Sequence, residues 1–461
     1  MPGSPVRVRM APSPTGFVHL GSARTALFNL LYARRRGGVW VLRLEDTDVE
    51  RNRPEFEAAI YDGFHWLGLE WDEGPDVGGP YAPYRQSERL DLYRESAARL
   101  LQTGGAYRCY CTKEELAAER EQAEREHRPY RYSRRCLTDP PSGRTEFTVR
   151  FKLPDAPERV EWDDLIRGPV AFELSELDDF IIMRTDGTPL YNFSVAVDDH
   201  QMRITHVLRG EEHVSNTPRQ LLLLKALGSQ PPAYAHLPVI VGQDRAKLSK
   251  RKHPEARLSL YQELGYLPAA MLNYLALLGW NPGSTEEIFS LEELERIFDL
   301  DRVQRSPAMF DWQRLDWLNG QYIRRLEDAE LIELLRPNVP ELPPEKLAEA
   351  MPELKTRLPR LAEARPLLEY LWEEPAAAEL DPEALEKLRA ARAALSEVDW
   401  QPETIEQALD AVRDEHGWSR NALFKPLRLA LTGRSISLPI HYTVALLPKP
   451  EALRRLDRVL A

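Results

Sequence analysis

The chain has 461 residues, 43% hydrophobic and 29% charged, too long for one core, so several domains are expected and bulk disorder is excluded. A net charge of −12 excludes indiscriminate nucleic-acid binding but leaves room for a local basic surface. No apolar run reaches membrane-spanning length, the first residues lack a secretory leader's pattern, and three cysteines point to a reducing cytoplasm, not a disulfide framework.

In chain order, Val6 to Tyr32 reads as strand, turn and helix. Val6 and Val8 open a β-run, and Pro12 and Pro14 stop it because neither has an N–H to give. Gly16 and Gly21 allow close backbone approach. From Ser22, the expected N-cap, Ala23, Leu27 and Leu30 recur at helical spacing. Such a turn aims N–H groups and a positive dipole end at a bound anion, and His19 stands in it. Arg34 to Gly38 gives a basic last turn and a glycine stop. Val39–Leu44 is a buried-strand candidate running into Glu45-Asp-Thr-Asp48. Ligands bind beyond the carboxyl ends of parallel strands, so Glu45 and Arg9 are expected at neighbouring ends. Helical patterns follow over Pro54–Leu67 and from Tyr84 to Leu101.

The stretch from Tyr107 to about Leu153 breaks this rhythm and holds all three cysteines, Cys109, Cys111 and Cys136, around a charged helical run from Lys113 to His127. Such clustered thiols suit zinc. For a fourth ligand Tyr132 is offered by spacing, and His127 is the chemically usual choice. Strands are expected over Phe147–Phe151, Val170–Phe172, Asp179–Arg184, Ile204–Glu212 and Ala235–Val241, with a helix over Thr217–Leu227. Lys247-Leu-Ser-Lys-Arg-Lys252 is a cationic loop suited to phosphates. Beyond about Arg257 the chain reads as amphipathic helices divided by prolines, with Trp312, Trp317, Trp372 and Trp400 expected in packing.

His19-Leu-Gly-Ser22 and Lys247-Leu-Ser-Lys-Arg251 resemble the signature pair of class I aminoacyl-tRNA synthetases. Arg9-Met-Ala-Pro-Ser-Pro-Thr-Gly16, Leu44-Glu-Asp-Thr-Asp48, Gly79-Pro-Tyr-Ala-Pro-Tyr-Arg-Gln-Ser-Glu88, Val197-Asp-Asp-His200 and Arg209-Gly-Glu-Glu212 resemble the bacterial glutamyl-tRNA synthetase family. Two features depart from the family pattern. The last histidine of the first motif is Ser22, a small residue of the kind the family often has there, and the segment after Lys250 is Arg251-Lys-His-Pro-Glu255.

The resemblance implies an α/β catalytic half, a Rossmann-like parallel sheet with an inserted acceptor-binding domain, followed by an all-α C-terminal half. The implied division is a first catalytic part over 1–106, a tRNA acceptor-binding insert with a zinc site over 107–190, a second catalytic part with the lysine loop over 191–256, a helical stem-contact domain over 257–320 and a helical anticodon-binding domain over 321–461. The implied activity is ATP-dependent activation of glutamate and its transfer to the 3′ end of tRNA for glutamate, with activation needing tRNA. His19, Lys247 and Lys250 would be catalytic and, with Gly21 and Glu212, bind ATP. Arg9, Ser13, Glu45, Tyr191 and Arg209 would bind glutamate, Arg9 at its side chain and Glu45 at its ammonium. Cys109, Cys111, Tyr132 and Cys136 would hold structural Zn²⁺, Mg²⁺ would accompany ATP, and Arg357 would read the anticodon. The partners implied are tRNA, L-glutamate and ATP, with no membrane, and a cytoplasmic monomer is expected. A truncated paralogue that modifies a tRNA base would lack the helical C-terminal part.

Overall fold

A computed structural model describes residues 5–48, 50–155, 159–249 and 251–461. The chain divides into two compact units, one of Met1–Leu260 with Leu272–Asp311, the other of Tyr261–Met271 with Trp312–Ala461.

In the first unit the order is β1 (Arg7–Met10), α1 (Leu20–Arg35), β2 (Val39–Leu42), α2 (Pro54–Trp66), α3 (Leu90–Gln102), β3 (Ala106–Cys109), α4 (Lys113–Arg125), α5 (Arg135–Thr138), β4 (Thr148–Phe151), β5 (Arg159–Asp164), β6 (Gly168–Glu173), β7 (Ile181–Met183), α6 (Tyr191–Gln201), β8 (His206–Gly210), α7 (Thr217–Ala226), β9 (Ala233–Leu237) and β10 (Ile240–Val241). β1 pairs with β2 in parallel, Arg7 opposite Val39 and Met10 opposite Leu42. β8 pairs with β9 in parallel, and the Thr205 amide donates to the Arg7 carbonyl at 2.9 Å, which sets β8 beside β1. β1 is buried at every position although Arg7 and Arg9 alternate in it with apolar residues, so its charges need partners inside the fold. α1 is buried on almost every side from Leu20 to Ala33, so it serves as core rather than as an amphipathic surface helix. β3, β4 and β7 form a separate antiparallel sheet, and the β5–β6 hairpin adds to the edge of β9 through Asp164 and Tyr234.

Three expectations need correction. The N-cap of α1 is His19, not Ser22, and the helix starts at Leu20. The His19 ring accepts the Gly21 N–H at 2.9 Å, doing what a serine hydroxyl would do. Trp317 is 45% exposed, unlike the packing expected of it. The strand expected over Ala235–Val241 is broken at Pro238, which has no N–H to give, and divides into β9 and β10. No described helix is long and apolar enough to cross a membrane.

The second unit is helical, from Trp312–Arg325 through Pro344–Arg357, Pro382–Ser396, Pro402–His416 and Arg420–Thr432 to Lys449–Leu460. One apolar cluster gathers Leu331, Leu347, Leu354 and Leu368, another Leu388, Leu409, Leu427 and Leu456.

Candidate active site

Arg9 sits in a strand buried at every position, where an unpaired charge is not tolerated. Its Nε and Nη2 donate to the two carboxylate oxygens of Asp199 at 3.1 and 3.3 Å. Asp199 also accepts from Arg43 at 2.7 Å, and Arg43 donates to Glu45 at 3.2 Å. Burial pushes the Asp199 carboxyl up, but Arg9 and Arg43 outweigh it and hold it below the ordinary range. Burial dominates at Glu45 and raises its carboxyl despite Arg43 and Arg9. Asp199 lies on α6, 190 residues from Arg9, and the apolar run Phe193–Val197 gave no sign that the next two acids are buried.

Arg209, near the end of β8, is 5% exposed and, among the described residues, has no carboxylate as a hydrogen-bond acceptor. It donates to His236 Nε2 at 3.1 Å, Gln220 Oε1 at 2.8 Å, Thr217 Oγ1 at 2.9 Å and the His213 carbonyl at 3.3 Å. These take four of its five N–H groups and supply no countercharge, and burial lowers its pKa. Thr217, Gln220 and His236 were not singled out from the sequence, since nothing local marks them.

Arg9, Ser13, Glu45, Tyr191, Arg209 and His213 line one cavity of about 250 Å³. Ser13 is exposed there, and Tyr191 stands at the rim with its hydroxyl 3.1 Å from His213 Nδ1. A second cavity of about 500 Å³ is lined by His19, Arg24, Lys247, Leu248 and Ser249. Gly21, Ser22, Thr25, Gly210 and Glu212 line both, so the N-terminal turn of α1 is their common wall. A side chain at Gly21 would bring a Cβ to 3.2 Å from His19 Nδ1. The approach there is close because Nδ1 takes the Gly21 amide.

With Nδ1 accepting, His19 carries its proton on Nε2, which lies 3.2 Å from the Leu248 carbonyl. The ring thus joins the start of α1 to the lysine loop. Lys247 is exposed, 3.8 Å from Glu212. Lys250 lies outside the described residues. In the divergent segment after it, His253 Nδ1 accepts the Ser249 amide at 3.2 Å and His253 Nε2 lies 3.3 Å from Asp244. Arg24 was not foreseen. It is a buried cation under the second cavity, its Nη1 donates to the Leu278 carbonyl at 3.1 Å, and burial lowers its pKa to about 10.

Residues 5–317 match the family described as tRNA synthetases class I (E and Q), catalytic domain, and residues 330–460 match an anticodon binding domain. The chain belongs to the class I tRNA synthetases of the E and Q group. Glutamate–tRNA ligase from Symbiobacterium thermophilum is 44% identical over 98% of this chain and 99% of that protein. The glutamate–tRNA ligase of Heliobacterium modesticaldum is 45% identical over 98% and 96%. A crystal structure of a glutamate tRNA ligase from Elizabethkingia meningosepticum in complex with its amino acid is similar with a TM-score of 0.87 at 31% identity, covering 99% of each chain.

Elsewhere in this class I synthetase the sulfurs of Cys109, Cys111 and Cys136 all lie within 4.8 Å of one another. The Tyr132 hydroxyl is 3.3 Å from the Cys109 and Cys111 sulfurs. Tetrahedral zinc at about 2.3 Å from each thiolate sets sulfurs about 3.8 Å apart, so the donor set fits. At Cys109 burial pushes the thiol up, but hydrogen bonds to Tyr132 and Arg150 outweigh it and bring it to about 7. His127 is exposed and does not belong to the cluster. In the second unit, Arg357 is exposed, 3.6 Å from Glu353, and lines a cleft with Arg434 and Ile436, the latter 73% exposed.

Proposed function

We infer that this chain is a glutamate–tRNA ligase. It activates L-glutamate with ATP and transfers the glutamyl group to the 3′ end of tRNA for glutamate in protein synthesis. The observation that carries the amino-acid assignment is a pair of buried guanidinium groups, Arg9 and Arg209, in one cavity with Glu45, Arg209 being held by neutral acceptors among the described residues. A bound carboxylate supplies the missing countercharge. Glutamate brings its second carboxylate to Arg9, where glutamine would bring a neutral amide, which disfavours glutamine without an editing step.

Glutamate lies in the smaller cavity, its two carboxylates divided between Arg9 and Arg209 and its ammonium held by Glu45, with Ser13 and Tyr191 adding hydrogen bonds. Arg9 reaches it with Nη1, the guanidinium nitrogen not committed to Asp199. ATP occupies the larger cavity against Gly21 and Glu212. A glutamate α-carboxylate oxygen attacks the α-phosphorus, the bond to the β-phosphate breaks and pyrophosphate leaves. A terminal ribose hydroxyl of tRNA then attacks the acyl carbon and AMP leaves. No protein nucleophile takes part. The protein's work is placement and charge stabilisation, by His19 and the α1 N-terminus at the phosphates and by Lys247 and Lys250 at the departing pyrophosphate. Mg²⁺ bound with ATP offsets the remaining triphosphate charge.

Cys109, Cys111, Cys136 and Tyr132 would hold zinc as a structural clasp within 107–190, the part assigned to the tRNA acceptor end. Residues 321–461 are assigned to the anticodon, with Arg357 at its last base. The enzyme is taken to work as a cytoplasmic monomer. The test is glutamate-dependent ATP–pyrophosphate exchange with purified tRNA for glutamate or for glutamine. Exchange and charging with the former support the assignment. Absence of exchange with either tRNA present overturns it.

A further inference from the structure

We propose that Asp164 and His236 are positioning residues for Arg209, fixing the one imidazole tautomer that lets its guanidinium face a glutamate carboxylate. This rests on the reading that Arg209 receives that carboxylate. Arg209 and His236 are direct cross-strand neighbours on β8 and β9. Asp164 closes β5 and pairs with Tyr234, whose ring stacks on His236 with planes 3° apart. Strand register alone therefore brings three ionisable side chains from distant parts of the chain into a row.

The row has a single polarity. His236 Nδ1 lies 2.5 Å from Asp164 Oδ2, and both side chains are fully buried. A carboxylate only accepts, so Nδ1 bears the proton and Nε2 keeps a lone pair. An arginine only donates, and its Nε is 3.1 Å from that lone pair. The other Asp164 oxygen, Oδ1, accepts the amides of Ile166 at 3.1 Å, Arg167 at 3.0 Å and His236 at 3.2 Å. Asp164 thus caps the β5–β6 turn with one oxygen and sets the imidazole with the other. Neither residue touches the glutamate cavity, which is lined by Arg209 itself.

This division separates positioning from a purely structural role. In Asp164→Asn the three amides demand an oxygen, so the side-chain NH₂ turns to His236. Nδ1 must then accept, the proton moves to Nε2, and two donors face each other at Arg209. The turn cap survives. Expected is a rise of about tenfold or more in the glutamate KM, with the ATP KM within about twofold of native. With the native Asp164, a glutamine at 236 donates its NH₂ to the carboxylate and offers its oxygen to Arg209, so His236→Gln keeps the glutamate KM near native. An unchanged glutamate KM in folded Asp164→Asn, an equal rise for both substrates, or a glutamate KM in His236→Gln raised as far as in Asp164→Asn overturns the proposal. Should Asp164→Asn fail to fold, His236→Leu against His236→Gln makes the same comparison. The glutamate KM rises about tenfold in the first and stays near native in the second, and equal values overturn the proposal. Arg209→Ala is measured alongside. If it leaves glutamate binding intact, the carboxylate reading itself fails. If it raises the glutamate KM where Asp164→Asn does not, only the positioning role fails.

Discussion

Arg9 and Arg209 are both arginines in buried strands, yet their surroundings differ in kind. Arg9 is neutralised within the protein by Asp199. Arg209 is solvated by neutral acceptors and keeps its charge uncompensated by them. Asp199 is therefore the pivot, since it also holds the fully buried Arg43. Asp199→Asn leaves two buried guanidinium groups short of an anion. Breaking a buried pair in this way costs about 3–5 kcal/mol, so urea unfolding of the variant is expected to shift by that amount. A change below about 1 kcal/mol would show that Glu45 and Asp198 can carry both cations alone.

A second residue-scale expectation concerns acid. Burial, with Arg36 nearby, lowers His206 on β8 from the ordinary 6.5 to about 4. Between those values the unfolded chain takes a proton that the folded chain refuses. Its contribution is complete above about pH 6.5 and is lost as pH falls toward 4, by about 2 kcal/mol at pH 5. His206→Gln removes this titration, so the stability difference between pH 7.5 and pH 5 should shrink by about that amount. An unchanged difference in parallel urea titrations would exclude His206 as a source of acid sensitivity.

Among the elements, the opening strand–turn–helix was legible because its signals are local: two prolines, two glycines and a helical spacing of small and apolar residues. The helix Tyr191–Gln201 was not, because the apolar run Phe193–Val197 is too short for its period to tell helix from strand. Arg9, Glu45 and Arg209 stood in recognisable motifs. Their partners did not, because Asp199, His236 and Gln220 meet them only through strand register and helix packing. The His19 contact with Leu248 spans 229 residues and is likewise invisible in sequence. It gives the ring two tasks, capping α1 through Nδ1 and tethering the lysine loop through Nε2. His19→Asn keeps an acceptor for the cap and gives up the tether. Trypsin should then cut faster after Lys247 or Arg251, and pyrophosphate exchange should fall about 10²-fold or more while folding stability stays within about 1 kcal/mol. Equal cleavage rates in native and variant protein would mean that the loop is held by its own contacts, His253 with Ser249 and Asp244.

For the whole molecule, the acidic net charge has to be reconciled with a polyanionic substrate. Basic side chains are placed locally, and at the Arg357 cleft in the helical unit Arg357 and Arg434 stand with the exposed Ile436. A guanidinium can pair with a base edge, and an exposed aliphatic side chain can cover a base unstacked from its loop. The surface ion pair of Arg357 with Glu353 is too exposed to hold the side chain strongly, so little is lost when a base displaces it. Arg357→Ala is accordingly expected to raise the tRNA KM about tenfold, while glutamate and ATP KM values at saturating tRNA stay native. A base contact predicts one thing more. The penalty should largely vanish with tRNA whose last anticodon base is replaced, because that contact is already gone, whereas a phosphate contact would cost the same on both tRNAs and steepen with falling salt. Charging kinetics on the two tRNAs at two salt concentrations separate these outcomes, and an equal penalty on both would remove Arg357 from base reading.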